Sequence, residues 1–368
     1  MRRAFLALLC PFVGVLCGSV SASLAPAAEL TPAQLHSAYE LPRSARHQST
    51  VAVIVAYDDS TLEHDLATFS RAYKLPSCSH LHGCLRRVNQ QGLSSPLPAP
   101  DPSGGNWVAE ASTSTQVVHG LCENCRLLVV EASSDAGEDL AAAVDTAVRL
   151  GAREVVTTYS LGESSIDGYL ARHYDHPGVV ITAATGDDGF SYATNVPASY
   201  PGVVAVGGTT LRLGHGGRWA GETVWNDSSG ATASGCSPFT PAPSWQAPFA
   251  KAVGCGTERA LADVAAAAAP GVPFYSSSTV EGQKGWFDIE GTSVSSPIIA
   301  AVFALAGGVG PHQSAAALLY TRLRHARGAF HDITRGSDGS CSGRPICAAR
   351  RGYDGPSGVG TPHGLAGF

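Results

Sequence analysis

Residues 291–301 read GTSVSSPIIAA, a Gly-Thr-Ser turn that leads directly into a run of small and apolar residues. This pattern is typical of a hydroxyl group carried at the N-terminus of a buried helix. It allows two interpretations of Ser293. The residue can simply cap the helix, because serine oxygens accept hydrogen bonds from unpaired backbone N–H groups. Alternatively, Ser293 is a nucleophile, which requires a base to take its proton.

The chain around this turn alternates between apolar strands and helical segments, which is the pattern of a parallel sheet covered on both faces. Strands are predicted at 51–57, 126–132, 153–160 and 178–185, and helices at 138–151, 296–307 and 314–326. Ser60 and Glu63 predict a capping box for another helix after the first strand. Loops and irregular strands around a cleft are expected at 209–290. With 368 residues, 44% of them hydrophobic, the sequence predicts one large α/β domain.

The N-terminus has the features of a secretory signal peptide. Arg2 and Arg3 precede an apolar stretch that ends in the small residues SASLAPAA, so residues 1–27 are predicted to be removed after export. A short segment, 28–48, then precedes the domain at 49–368. A formal charge of -6 without long basic runs argues against nucleic acid or an anionic membrane as a partner. We expect a secreted monomer that does not bind the membrane once the signal is removed.

Eight of the ten cysteines lie beyond the predicted signal peptide and fall into local pairs. In an exported chain, this even number indicates disulfide bonds. Proximity in sequence suggests the pairs Cys78–Cys84, Cys122–Cys125, Cys236–Cys255 and Cys341–Cys347. The CENC segment at 122–125 is also compatible with half of a zinc site, but no second ligand pair follows at a suitable spacing.

A segment that precedes this turn in the sequence offers a base for Ser293, and three more motifs, the turn itself among them, agree with it. NWVAEASTSTQVVHGLCENCRLLVVEASS (106–134), TGDDGFS (185–191), GTSVSSP (291–297) and HDITRGSDGSC (331–341), the last followed by AARRGYDGPSGVGTP (348–362), resemble in order the motifs of the sedolisin family, the serine-carboxyl peptidases. The resemblance extends over residues 31–368. It implies a subtilisin-like fold with a mostly parallel sheet, in which a glutamate replaces the histidine base. No histidine motif of the usual subtilisin triad is present, and the sequences around His64 and His119 do not match that motif.

The resemblance assigns a role to each catalytic position. Ser293 is the nucleophile, Glu110 is the general base and acid, and Asp187 contributes to the oxyanion hole. In the family, a second carboxylate four residues after the glutamate lies on the same helical face and shares a proton with it. This chemistry operates at acidic pH on peptide bonds in proteins.

This chain departs from the family pattern at Ser114, which occupies the position of the second carboxylate. A serine can orient Glu110 by a hydrogen bond but cannot share a titrating proton. Ser114, or a carboxylate from Asp58 or Asp59, can therefore support an enzyme with reduced activity. Alternatively, the chain is an impaired, exported binding protein on the same fold. A secreted esterase that uses Ser293 is a further alternative.

The resemblance also implies one structural calcium ion near the C-terminus. Its ligands would be the carboxylates of Asp332 and Asp354 and the backbone carbonyls of Ile333, Arg350 and Gly352. These oxygen ligands are the type that calcium prefers. Aspartates in glycine-rich turns are also common without a metal. Trp107, Trp245 and Trp286 can line a substrate groove, although buried packing is the more usual role of tryptophan.

Overall fold

The structure is a computed structural model that describes residues 20–23, 30–164, 167–191 and 194–368. The helices of these ranges are α1 Pro32–Ala38, α2 Leu62–Tyr73, α3 Asn106–Leu121, α4 Gly137–Arg149, α5 Ala247–Ala252, α6 Thr292–Ala306 and α7 Ala315–His325. The strands are β1 Val20–Ser23, β2 Thr50–Ala56, β3 Leu85–Asn89, β4 Arg126–Ala132, β5 Glu154–Thr157, β6 Leu161–Gly162, β7 Val180–Ala184, β8 Asn195–Val196, β9 Val204–Leu213, β10 Trp219–Val224, β11 Gly235–Pro241, β12 Glu258–Leu261, β13 Val264–Ala269, β14 Val272–Val280, β15 Gln283–Ile289, β16 Phe330–His331 and β17 Thr361–Pro362. No helix within these ranges is both long enough and apolar enough to cross a membrane.

The centre of the fold is an eight-stranded sheet whose strands follow the order β10-β9-β7-β5-β2-β4-β3, with β13 also paired to β9. Every pair in it is parallel except β9 with β10. Strand β2 has the sequence TVAVIVA and is buried from Val51 to Ala56. Such a continuous apolar run is expected where helices cover both faces of a parallel sheet. The predicted α/β, subtilisin-like architecture is confirmed.

Helices α3 and α6 form the buried layer that carries the site. Every residue of α3 from Trp107 to Leu121 and every residue of α6 from Thr292 to Leu305 is buried. A helix enclosed on all sides needs small or apolar residues around its whole circumference, and α6 has them. The two helices pack against each other, and α6 also packs on β5, β7, β9 and β13.

The 209–290 region is more regular than expected. It contains strands β10 to β15, and β13 joins the central sheet beside β9. Small side chains make this close packing possible: a Cβ added to Gly208 would lie 2.6 Å from the Cβ of Ala268. The expectation of loops and irregular strands was therefore wrong for β13, because an alanine run has weak strand propensity and is held in the sheet by tertiary packing.

The N-terminal part of the described chain is tied into the same core. Leu30, Leu35 and Tyr39 are buried. The Tyr39 hydroxyl donates to Glu222 Oε1 at 2.6 Å and accepts from the backbone N–H of Ala267 at 2.8 Å. Residues 30–48 therefore share one core with the residues that follow. The predicted signal peptide lies outside the described residues, except for β1, which pairs antiparallel with β15.

All four predicted disulfides are present: Cys78–Cys84, Cys122–Cys125, Cys236–Cys255 and Cys341–Cys347. The predicted capping box at Ser60 and Glu63 was wrong. Helix α2 begins after Thr61, whose side chain does not cap it and instead donates to Asp59 Oδ1 at 2.8 Å. A capping box is found at α1, where Thr31 and Gln34 bond reciprocally.

Candidate active site

Ser293 lies in the first turn of α6 and is only 2% exposed. Gly291 occupies the cap position of this helix, and no side chain of the helix itself caps it. The interpretation of Ser293 as a plain cap is therefore wrong. The Ser293 hydroxyl instead donates to Glu110 Oε1 at 3.0 Å and is 3.4 Å from the backbone carbonyl oxygen of Thr158.

Glu110 lies in the second turn of α3 and reaches Ser293 because α3 and α6 pack directly against each other. Burial raises the pKa of the Glu110 carboxyl to about 7. The hydrogen bond from Ser293 and the nearby Thr158 hydroxyl lower this pKa, whereas the negative charge of Asp187 raises it further. A pKa close to neutrality suits a group that takes and returns a proton during one reaction cycle.

Asp187 follows β7 at the C-terminal edge of the sheet. Its Oδ1 atom accepts from the backbone N–H of Thr292 at 2.9 Å and from the Thr292 hydroxyl at 2.7 Å. The Oδ2 atom is buried and has no hydrogen-bond partner among the described residues. Burial raises the pKa of Asp187 to about 6, and the hydrogen bonds from Thr292 limit the rise.

Gly291 allows the Asp187 carboxyl to approach the nucleophile turn. Its backbone has φ +139° and ψ 168°, a conformation that is almost confined to glycine. A Cβ at this position would lie 2.6 Å from Asp187 Oδ2. The glycine of the GTS motif therefore has a steric function at this contact as well as a conformational one.

Ser114 is fully buried one helical turn after Glu110, but its hydroxyl forms no hydrogen bond within the described ranges. The hydroxyls of Ser112 and Thr113 are likewise without partners there. Asp58 forms an ion pair with Arg87, and Asp59 accepts from Thr61. The structure thus unites Ser293, Glu110 and Asp187, whereas neither Ser114 nor the two aspartates hydrogen-bond to Glu110.

Sequence reasoning did not identify Thr158, which follows β5 and contributes both its carbonyl and its hydroxyl to the surroundings of Glu110 and Ser293. The motifs that contain Ser293, Glu110 and Asp187 do not include Thr158. The polar Thr-Thr pair at 157–158, placed at the end of an apolar strand, is the one indication in the sequence.

Two of the predicted calcium ligands, Asp332 and Asp354, are neighbours in the C-terminal loops. Asp332 Oδ1 accepts from the backbone N–H of Gly352 at 3.0 Å. Burial raises the pKa of Asp354 to about 7, and the charge of Asp332 contributes to the rise, as expected for neighbouring carboxylates. No hydrogen bond among the described residues ends on the carbonyl oxygens of Ile333, Arg350 or Gly352. Two adjacent carboxylates and three free carbonyls fit the donor set of a calcium ion.

The three tryptophans considered as groove residues have packing roles. Trp107 is buried against Tyr159, and Trp286 lies in an aromatic cluster with Phe69 and Tyr73. Trp245 packs on Tyr320 and borders a cavity of about 380 Å³. That cavity also contacts Val179, just before β7, so it lies at the opposite end of this strand from Asp187.

A serine at the start of a buried helix, paired with a carboxyl base at the edge of a largely parallel sheet, defines a subtilisin-like serine peptidase site. Residues 104–341 match the model of the subtilase family. The chain belongs to this family.

The relatives of the chain are serine-carboxyl peptidases. It is 27% identical to sedolisin from Pseudomonas sp. (strain 101) over 360 residues, which cover 89% of this chain and 58% of that protein. It is 29% identical to kumamolisin from Bacillus sp. (strain MN-32) over 378 residues, 94% of this chain and 64% of the relative. The chain therefore spans less than two thirds of the length of both proteins.

A solved structure of a serine-carboxyl peptidase is also similar to this chain. Pseudomonas sedolisin, complexed with two molecules of pseudo-iodotyrostatin, superposes with a TM-score of 0.71 at 26% identity and covers 90% of this chain and 95% of that one. A lanthipeptide protease superposes with a TM-score of 0.51 at 13% identity, over 87% of each chain, and shows the common fold alone. The resemblance to the sedolisin family is confirmed.

Proposed function

We propose that this chain is a secreted serine-carboxyl endopeptidase that hydrolyses peptide bonds in proteins at acidic pH. The observation that best supports this function is the hydrogen bond of 3.0 Å from Ser293 Oγ to Glu110 Oε1. A serine hydroxyl becomes an effective nucleophile when a base within this distance takes its proton. Glu110 is buried and has a pKa of about 7, so it can serve as that base.

The reaction proceeds in two halves. Glu110 takes the Ser293 proton while Oγ attacks the carbonyl carbon of the scissile peptide bond. Protonated Glu110 then gives this proton to the leaving amine, the C–N bond breaks, and an ester remains on Ser293. A water molecule next gives a proton to Glu110 and attacks the ester. The proton returns to Ser293 as the acid product leaves.

Asp187 acts as a proton-bearing hydrogen-bond donor in both halves. Its Oδ2 atom has no hydrogen-bond partner among the described residues and lies against the nucleophile turn at Gly291. When protonated, it donates to the oxygen that becomes negative in the tetrahedral intermediate. Donors fixed in advance at such a position stabilise the transition state strongly.

These two roles set the pH dependence. Glu110, with a pKa of about 7, must be ionised, whereas Asp187, with a pKa of about 6, must be protonated. Because Glu110 has the higher pKa, the form with ionised Glu110 and protonated Asp187 is the less populated of the two singly protonated forms. Its population is highest midway between the two pKa values, at about pH 6.5. Activity should decline on both sides of this mildly acidic optimum.

Ser114 leaves Glu110 without the second carboxylate of the family pattern, and its hydroxyl forms no hydrogen bond to Glu110. We therefore expect a lower rate than that of a complete Glu-Asp pair. The same observation favours a second function, an exported binding protein that keeps the peptidase fold and has lost efficient catalysis. Loss of an orienting partner reduces catalysis by orders of magnitude without abolishing it.

One calcium ion would be held by Asp332, Asp354 and the carbonyls of Ile333, Arg350 and Gly352. When bound, it would neutralise the two carboxylates and fasten the C-terminal loops to each other. The predicted signal peptide at 1–27 and the four disulfides support an extracellular location, because disulfides persist in oxidising compartments.

Protein digestion by the purified mature chain, measured from about pH 3 to pH 8, tests this function. Ser293→Ala and Ser114→Asp are assayed alongside it. We expect cleavage by the natural chain near pH 6.5, none by Ser293→Ala, and faster cleavage by Ser114→Asp. If the natural chain and Ser293→Ala are equally inert while Ser114→Asp digests protein, the binding-protein function replaces the enzyme.

A further inference from the structure

Two buried groups beside the nucleophile are chemically complementary and lack partners. Glu110 Oε2 has no hydrogen-bond donor, and the Thr158 hydroxyl has no acceptor, in the described part of the chain. Both groups are enclosed, because Glu110 is 4% exposed and Thr158 is 2% exposed. Leaving a buried polar group unpaired costs about 1 to 3 kcal/mol. A bond between the two would remove both costs.

The Glu110 side chain and the Thr158 backbone contact the same atom. Ser293 Oγ is 3.0 Å from Glu110 Oε1 and 3.4 Å from the carbonyl oxygen of Thr158. Thr158 follows β5 and Glu110 lies on α3, and α6 packs against both of these elements. Burial raises the pKa of Glu110 to about 7, and Thr158 is the first of the groups that lower it. Thr158 and the Glu110 carboxyl therefore meet at the Ser293 hydroxyl.

We propose that Thr158 is the positioning residue of this site: its hydroxyl donates to the Glu110 carboxylate and orients it toward Ser293 in the absence of a second carboxylate. Ser114 does not fill this role, since its buried hydroxyl bonds to nothing in the described ranges. The role of Thr158 rests on the proposed peptidase function.

A threonine differs from a carboxylate in what it can do for Glu110. It donates one hydrogen bond but does not titrate, so it favours the ionised form without sharing a proton. Among the described residues, Asp187 is the charged group that acts on Glu110. The pKa of Glu110 therefore depends on the charge of Asp187, which raises it, and on the Thr158 hydroxyl, which lowers it. Removing the hydroxyl raises the pKa of Glu110. Because Glu110 already has the higher pKa of the pair, this change shifts the alkaline side of the pH profile to higher pH.

Three variants test this role. Thr158→Val keeps the shape of the side chain and removes the donor, Thr158→Ser keeps the donor, and Ser112→Ala removes another buried hydroxyl that has no partner among the described residues. We expect Thr158→Val to lower kcat about 10- to 100-fold with little change in KM, because it removes one hydrogen bond to a charged group. Thr158→Ser should restore most of the activity, and Ser112→Ala should behave as the natural chain. Thermal melting confirms that each variant is folded.

The alkaline limb of kcat/KM, which reflects the higher pKa of the pair, that of Glu110, distinguishes positioning from structural support, which would not move it. In Thr158→Val this limb should shift upward by about half a unit to one unit. An unchanged alkaline limb in Thr158→Val, or an equal loss of activity in Ser112→Ala, would overturn the role of Thr158.

A second measurement does not depend on turnover. The pKa of the Glu110 carboxyl is read from infrared difference spectra between each chain and its Glu110→Gln form, in the Ser293→Ala background as well. Thr158→Val should raise this pKa even if the natural chain digests no protein. An inactive natural chain with a shifted pKa would thus refute the peptidase function alone, whereas an unshifted pKa would refute the role of Thr158.

Discussion

Gly291→Ala tests how closely Asp187 must approach the nucleophile turn. The new Cβ would lie 2.6 Å from Asp187 Oδ2, so the carboxyl would have to move by about 0.8 Å to reach ordinary contact at 3.4 Å. A displacement of this size at a reacting centre costs about 100-fold in rate. Strain at φ +139° and ψ 168° adds about 1 to 3 kcal/mol of destabilisation.

Gly285→Ala is the matched control. Gly285 also has a positive φ, +116°, but a Cβ there would meet nothing within 4 Å. Both variants should lose stability in thermal melts, whereas only Gly291→Ala should lose about 100-fold in kcat/KM on a peptide substrate. If folded Gly291→Ala keeps activity within about threefold of Gly285→Ala, the Asp187 carboxyl does not need its observed position.

Three further outcomes follow from the buried carboxyls and the metal loops. Burial raises the pKa of Glu154 from 4.5 to about 7, so its contribution to stability is complete below 4.5 and is lost as the pH rises through 7. The melting temperature should therefore fall as the pH rises from about 5 to about 8. Glu154→Gln should flatten this curve, because it removes roughly 3 kcal/mol of the pH-dependent stability. A Glu154→Gln curve as steep as that of the natural chain would contradict the direction of the pKa shift. In a buffer that contains calcium, a chelator should lower the melting temperature of the natural chain but not that of Asp354→Asn. An equal fall in both melting temperatures would exclude Asp354 as a ligand. Ser114→Asp should add a second ionisation to the acid limb of kcat/KM, because two close carboxylates titrate as a pair; a single unshifted ionisation would show that position 114 does not interact with Glu110.

The sequence predicted the sheet well because its strands are buried on both faces. The apolar runs at β2 and β4 have no other stable location than the centre of an α/β fold. By contrast, the strand β13 is nearly all alanine, and only its contact with Gly208 and the α6 layer makes it a strand. Such a contact is a property of the folded chain and cannot be read from local propensity.

The site was predictable to the extent that it depends on motif residues. The GTS turn and the Glu110 segment led to a nucleophile and a base that lie 3.0 Å apart. The sequence could not show whether Ser114 contacts Glu110, because helical spacing places two residues on one face without fixing their rotamers. Thr158 was missed for a related reason: it follows β5, whereas Glu110 lies on α3, and no local spacing links the two positions.

The central claim is that Glu110 activates Ser293, and the pH profile of kcat/KM for the natural chain and for Glu110→Gln tests it most directly. Glutamine keeps the size and the hydrogen-bonding oxygen of the side chain but cannot take a proton. We predict a bell-shaped profile centred at about pH 6.5 for the natural chain, and for Glu110→Gln a loss of about 1,000-fold or more together with the disappearance of the acid limb. A Glu110→Gln chain that retains the natural profile and activity within about tenfold would contradict the assignment of Glu110 as the base.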